Sequence, residues 1–182
     1  MFDKHDKEFD AVMVGTPDHQ HYPATMLAMI HGKHVYTQKP LTHTPWESRQ
    51  LSLAQEKTKL ATQMGNQGHA SDGLRGTIDY IKSGAIGDLV EGHVWTNRPI
   101  WRQGMAVPEK GQDVPENLDW DSWVGPADPR PFHHDPADRW GGFDHPFNWR
   151  GFWDFGCGAL GDMACHNLDP IYWAMEPGYP TE

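Results

Sequence analysis

Apolar residues in the first 70 positions come in short runs punctuated by turn residues. Asp10-Ala11-Val12-Met13-Val14-Gly15 is too short for a helix, is closed by Thr16-Pro17-Asp18-His19, and predicts a buried strand. Residues 21–31 then predict a helix, with Pro23 in its first turn and Gly32 as its stop. His34-Val35-Tyr36-Thr37 predicts a second strand, ended by Lys39-Pro40. A helix over about 45–57 is announced by Thr44 as N-cap, Pro45 at the first position and Glu47 three residues after the cap. Leu60-Ala61-Thr62-Gln63-Met64 predicts a third strand, with Gly65-Asn66-Gln67-Gly68-His69 as its exit loop. Strand–helix–strand–helix–strand with short links implies a parallel sheet with right-handed crossovers, and hence an α/β fold. In such sheets ligands gather beyond the carboxyl ends of the strands. The exits at 16–19, 38–40 and 64–67 are therefore expected to line one edge together.

Beyond residue 70 the pattern changes. A helix is expected over 72–83, ended by Gly84, and a strand over 89–96. The stretch 97–156 is loaded with Pro, Gly, Trp and Asp, and a final helix is expected from 158 to 175. Loops longer than about 15 residues are uncommon in compact domains unless they are functional or linkers. Trp101, Trp120, Trp123, Trp140, Trp149 and Trp153 predict an ordered covering loop here. Trp101, Trp120 and Trp123 could stack on the C–H faces of a sugar, but aromatics serving as the loop's own core are the simpler reading for most of them.

Composition narrows the possibilities. The net charge of −10 over 182 residues disfavours a nucleic-acid partner. Mean hydropathy is −0.71, yet nine Trp, seven Phe and five Tyr argue against disorder. No apolar run approaches the roughly 20 residues of a membrane span. The charged start, Met1-Phe2-Asp3-Lys4-His5-Asp6-Lys7-Glu8, has no apolar signal core and reads as the tail of a helix whose earlier turns are missing. A truncated chain is expected, which leaves the compartment open. Cys157 and Cys165 are too few for a disulfide framework or a zinc signature. His133-His134 with His145 lack compact ligand spacing, so no metal site is expected.

The sharpest chemical signal is Gly158-Ala159-Leu160-Gly161-Asp162-Met163-Ala164-Cys165-His166. Asp162 and His166, four apart on a helix, share one face, and Lys39 at a strand end could complete a proton-transfer cluster with them. By spacing alone, an ordinary i,i+4 pair with a solvated lysine explains the same residues.

Three stretches in order resemble the Gfo/Idh/MocA oxidoreductases, the glucose–fructose oxidoreductase and inositol dehydrogenase family. They are Thr16-Pro17-Asp18-His19-Gln20-His21, Gly32-Lys33-His34-Val35-Tyr36-Thr37-Gln38-Lys39-Pro40-Leu41, and Gly158-Ala159-Leu160-Gly161-Asp162 followed by His166. The resemblance implies a partial Rossmann-like parallel sheet over 1–70, the C-terminal part of a dinucleotide-binding domain. Over 71–182 it implies the start of an α+β substrate domain with a long Trp-rich loop. It makes Lys39, Asp162 and His166 catalytic, His166 as base for a hydroxyl proton and Lys39 as the charge that steadies an alkoxide. It places Thr16, Pro17, His21, Gln38, Lys39, Pro40, Trp149 and Arg150 at an NAD or NADP cofactor. Ordinary turn chemistry competes for Thr16, Pro17 and His21, and is the better reading of Asn66. Arg150 over a Trp149 face is an equally simple brace.

The chain departs from the family at two points. No G-x-G-x-x-G is present, so NAD(P) is expected to bind weakly or not at all. Gln38 stands where many relatives carry Glu, which removes a carboxylate beside Lys39 and makes that lysine the better proton acceptor. The resemblance implies hydride transfer between a small sugar or polyol and nicotinamide, in a homo-oligomeric parent. The alternatives are an NAD-dependent glycoside hydrolase working by transient oxidation, or an inactive partial domain.

Overall fold

A three-stranded parallel sheet, in the order β1 (Ala11–Val14), β2 (His34–Gln38), β3 (Thr62–Gly65), organises the first part of the molecule. The computed structural model describes residues 1–135 and 146–178. One helical turn, α1 (Phe2–His5), precedes the sheet, and the crossovers are α2 (His21–Ile30) and α3 (Pro45–Thr58). Val12 pairs with Val35 and Val35 with Thr62, which brings all the strand exits to the same edge. The helix α3 starts where its local chemistry dictates. Thr44 Oγ1 accepts from Glu47 N while Glu47 Oε2 accepts from Thr44 N, and the helix ends at Lys59 in the left-handed conformation.

Val14, Ala28, Met29, Val35 and Leu51 form the core under the sheet. Each large side chain buried there contributes about 1.5–3 kcal/mol of hydrophobic stabilisation. A second core forms where the sequence predicts no regular elements. Trp120 and Val124, from α5 (Trp120–Val124), close on Phe132, Trp149 and Phe155. The Trp120 and Trp123 rings stack 4.9 Å apart at 8°, and Phe155 is wholly buried between His19 and Trp123. The tryptophan-rich stretch is thus largely its own core, as the simpler reading expected. Trp101 and Trp120 are buried and unavailable to a sugar, Trp153 is exposed, and Trp140 lies outside the described residues.

The later elements correct two expectations. The helix α4 (Asp72–Lys82) is present, but 89–96 forms no strand. That segment lies instead against the final helices. Asn167 Nδ2 donates to Trp95 O at 3.0 Å, and Gly92 sits so close that a Cβ there would be 2.6 Å from Ile171 Cδ1. A segment with strand-forming residues becomes a strand only beside a partner ladder, and the described residues offer this segment none. The expected helix 158–175 is two helices, α6 (Gly158–Asn167) and α7 (Asp169–Met175), separated at Leu168. Pro170 lacks an N–H and its ring meets the carbonyl four residues back, so it is accepted in the first turn of a new helix and not inside a continuous one.

Candidate active site

Helix α6 lies across the carboxyl ends of all three strands and is tied to each exit by one side chain. From the β1 exit, Asp18 Oδ2 accepts from Cys157 N at 3.1 Å. From the β2 exit, Lys39 Nζ donates to Asp162 Oδ1 at 2.5 Å and to Asp162 O at 2.8 Å. From the β3 exit, Asn66 Nδ2 donates to Cys165 O at 2.8 Å. The dimensions agree: at 1.5 Å per residue the helix advances roughly 12 Å from 157 to 165, and strands 4.8 Å apart put the outer exits about 10 Å from each other.

Beneath this helix is a cleft of about 420 Å³ lined by Gly15, Thr16, Pro17, Asp18, Gln38, Lys39, Trp123, Pro146, Trp149, Arg150 and Asp162. Six of the residues expected at a cofactor (Thr16, Pro17, Gln38, Lys39, Trp149, Arg150) are therefore in its wall. His21 and Pro40 are not. His21 is 1% exposed behind the wall, with Nδ1 2.6 Å from Pro40 O and Nε2 2.8 Å from Thr16 O. With a backbone carbonyl at each ring nitrogen, the ring is committed to bracing two turns. Of the two X–Pro bonds at the strand exits, Lys39–Pro40 is cis and Thr16–Pro17 is trans.

The electrostatics follow from partial burial. The Lys39 and Asp162 side chains retain 21% and 13% exposure, and Arg150 Nε stands 3.9 Å from the same Asp162 oxygen. The carboxylate that Gln38 does not provide is thus supplied to Lys39 from a helix 123 residues away, and Gln38 Oε1 accepts from Lys39 N, at 3.3 Å. His166 stands one turn beyond Asp162, and its ring has no hydrogen-bond partner among the described residues. Its pKa is pulled below the ordinary histidine value by burial first and by the positive charge of Lys39 second, against Asp162 and Asp169. Such an imidazole is neutral at neutral pH and able to take a proton.

Arg150 caps the Trp149 and Phe147 faces, with Cζ 4.2 Å and 4.4 Å from the ring centroids, so the brace and the cleft-lining role belong to one residue. Burial lowers its pKa, against the carboxylates of Asp162 and Asp18. Burial holds both cysteines as thiols: Cys157 is pushed far up, reinforced by Asp18, and Cys165 is raised as well. Neither suits nucleophilic chemistry. Among the described residues no group of three or more His, Cys, Asp or Glu side chains could hold a metal, and His145 lies outside them. No helix among the described residues is long and apolar enough to cross a membrane.

Sequence reasoning gave Asp18 no role of its own within the 16–19 exit, weighed Trp123 only as a ring that could stack on a sugar, and undervalued Asn66. Asp18 carried a usable signal, since a carboxylate inside a strand-exit segment is where ligands gather. Trp123 carried none, because no local pattern aims a loop tryptophan at a distant strand end.

Comparison with known proteins places the chain in a family. A family model described as "Oxidoreductase family, NAD-binding Rossmann fold" matches residues 2–66, and one described as "Oxidoreductase family, C-terminal alpha/beta domain" matches 85–178. An uncharacterised oxidoreductase of Schizosaccharomyces pombe is 32% identical over 111 residues, covering 58% of this chain and 30% of that protein. An uncharacterised oxidoreductase of Streptococcus pneumoniae is 28% identical over 96 residues, covering 53% and 26%. The chain thus spans less than a third of the length of these relatives. An inositol dehydrogenase homolog from Azotobacter vinelandii, solved with NADH and myo-inositol, is 25% identical over 48% of this chain and 24% of its own, with a TM-score of 0.45. With the models for both halves matching in order, the chain belongs to the Gfo/Idh/MocA oxidoreductase family.

Proposed function

We propose that this chain carries the reaction centre of an NAD(P)-dependent oxidoreductase that moves hydride between a hydroxyl of a sugar or polyol and nicotinamide. In this reading residues 1–70 form the nucleotide side and 71–182 the start of the substrate side. The observation that carries it is the Lys39–Asp162 pair at the edge of the cleft, with His166 one turn further along the same helix.

The cleft has the size and walls for the nicotinamide end of a dinucleotide. It holds about 420 Å³, with Trp123, Trp149 and the Thr16–Pro17 turn among its walls. The described residues offer no glycine-rich pyrophosphate cradle of the G-x-G-x-x-G kind. When bound, the cofactor supplies the hydride acceptor. Everything else falls to this chain's residues. Lys39, held by the Asp162 carboxylate and main-chain carbonyl, presents a positive charge to the substrate oxygen as it becomes an alkoxide. His166, kept neutral by burial and by Lys39, accepts the hydroxyl proton at its free ring nitrogen. Arg150 and the tryptophans exclude water from one side and give a flat apolar face beside polar groups, which matches the two-sided chemistry of a sugar ring.

The experiment is single-turnover hydride transfer in the full-length protein with a panel of free polyols and sugars. Lys39→Met and His166→Asn should each slow it by about a hundredfold or more. Transfer at the parent rate in either variant refutes the assignment. Cleavage of a nitrophenyl glycoside without net NADH release would replace the dehydrogenase by the glycosidase reading.

A further inference from the structure

We infer that Asp18 and Asn66 are positioning residues of this site, which pin helix α6 on either side of the Lys39–Asp162 contact and so decide where Asp162 stands. Asp162 meets Lys39 only if α6 is in register along the sheet edge, and a single contact leaves the helix free to pivot about it. The two flanking bonds remove that freedom. Asp18 holds the residue before the first turn, and Asn66 holds the carbonyl of Cys165 one turn past Asp162. Both come from strand exits and both reach across 99 residues or more of sequence.

The anchoring at the helix start is dense. Asp18 is 5% exposed, and its carboxylate faces the positive end of α6 as well as His21 and Arg150. Cys157, the N-cap of α6, makes no side-chain cap of its own. Its thiol turns instead to the carbonyls of Thr42 and His43, at 3.6 and 3.5 Å, and His43 Nε2 lies 3.3 Å from Gly156 O. Burial raises the Asp18 pKa, against the Cys157 amide and His21.

The two bonds have opposite sense, and this separates positioning from mere bulk. Asp18 accepts, so Asp18→Asn keeps an oxygen acceptor in place. Asn66 donates, so the isosteric Asn66→Asp loses the donor and sets a carboxylate against the Cys165 carbonyl. Lys39 reports on the outcome, because a displaced α6 frees its amine. Trace acetylation of the 182-residue chain with acetic anhydride, read by peptide mass spectrometry and normalised to the exposed Lys57 and Lys59, measures that amine directly. Asp18→Asn should leave Lys39 labelling within twofold of the parent, Asp18→Ala should raise it at least fivefold, and so should Asn66→Asp. Should Asn66→Asp fail to melt cooperatively, Asn66→Ala takes its place with the same expectation. Parent-level labelling in the Asn66 variant, or equal labelling in Asp18→Asn and Asp18→Ala, overturns the inference. The readout does not depend on which reaction the site performs.

Discussion

Replacing Lys39 by methionine should cost stability as well as chemistry, and the structure sets the size of the loss. The change keeps an unbranched side chain of similar length and removes only the ammonium. Asp162, with 13% of its side chain exposed, then keeps Arg150 at 3.9 Å as its nearest cation. Stranding one member of a fully buried pair costs about 3–5 kcal/mol. Partial exposure and the arginine reduce this, so we expect roughly 2–3 kcal/mol here. For a chain of this length that corresponds to a Tm lower by about 5–10 °C. Urea unfolding followed by tryptophan fluorescence, in parent, Lys39→Met, Asp162→Asn and the double variant, measures it. Asp162→Asn should lose only about 1 kcal/mol, because Lys39 keeps the main-chain carbonyl and an amide oxygen. The double variant should lose less than the sum of the singles by about 1 kcal/mol or more. A loss below about 0.5 kcal/mol in Lys39→Met, or strict additivity, would mean that the ammonium is solvated and the pair is not formed.

Further outcomes follow from the same structure. Phe155→Ala empties a fully buried site between His19, Trp123 and the Arg130 guanidinium, and should cost about 3–5 kcal/mol in the same urea assay. A cost near zero would show that the aromatic cluster is not a core. Gly161→Ala places a Cβ 2.1 Å from Cys157 Cβ, so the start of α6 must shift, at about 1–3 kcal/mol. Adding Cys157→Gly should restore much of that loss, and no restoration would place the conflict elsewhere. Burial lowers the pKa of His19 and, with help from Lys39, that of His166, so between these depressed values and about 6.5 the folded chain holds fewer protons than the unfolded one. Stability should therefore fall as pH drops from about 6.5 through the depressed values. His19→Asn should flatten that fall in thermal melts across the acid range, and an unchanged slope would contradict it.

The sequence by itself determined whatever nearest neighbours along the chain decide. The strands at 11–14, 34–38 and 62–65 and the helices between them were legible because short runs closed by turn residues, Thr44 with Glu47, and Gly32 act through backbone preferences and contacts within a few residues. The break at Leu168 has a local cause in Pro170, which the expectation of one helix over 158–175 did not take into account. Lys39, Asp162 and His166 were found through ordered motifs, since spacing alone could not tell a reaction centre from a solvated pair. The tertiary structure alone decided which of these groups meet. Residues 89–96 carry strand-forming Val90, Val94, Trp95 and Thr96 but find no partner ladder among the described residues, so they drape over α6 and α7. His21 turned from a cofactor candidate into a brace because two carbonyls converge on its ring. Asp18 and Asn66 matter through bonds spanning 139 and 99 residues, and Trp123 through a loop core that closes on the sheet edge. Such contacts are fixed by how separate surfaces pack, and no periodicity within a segment carries that information.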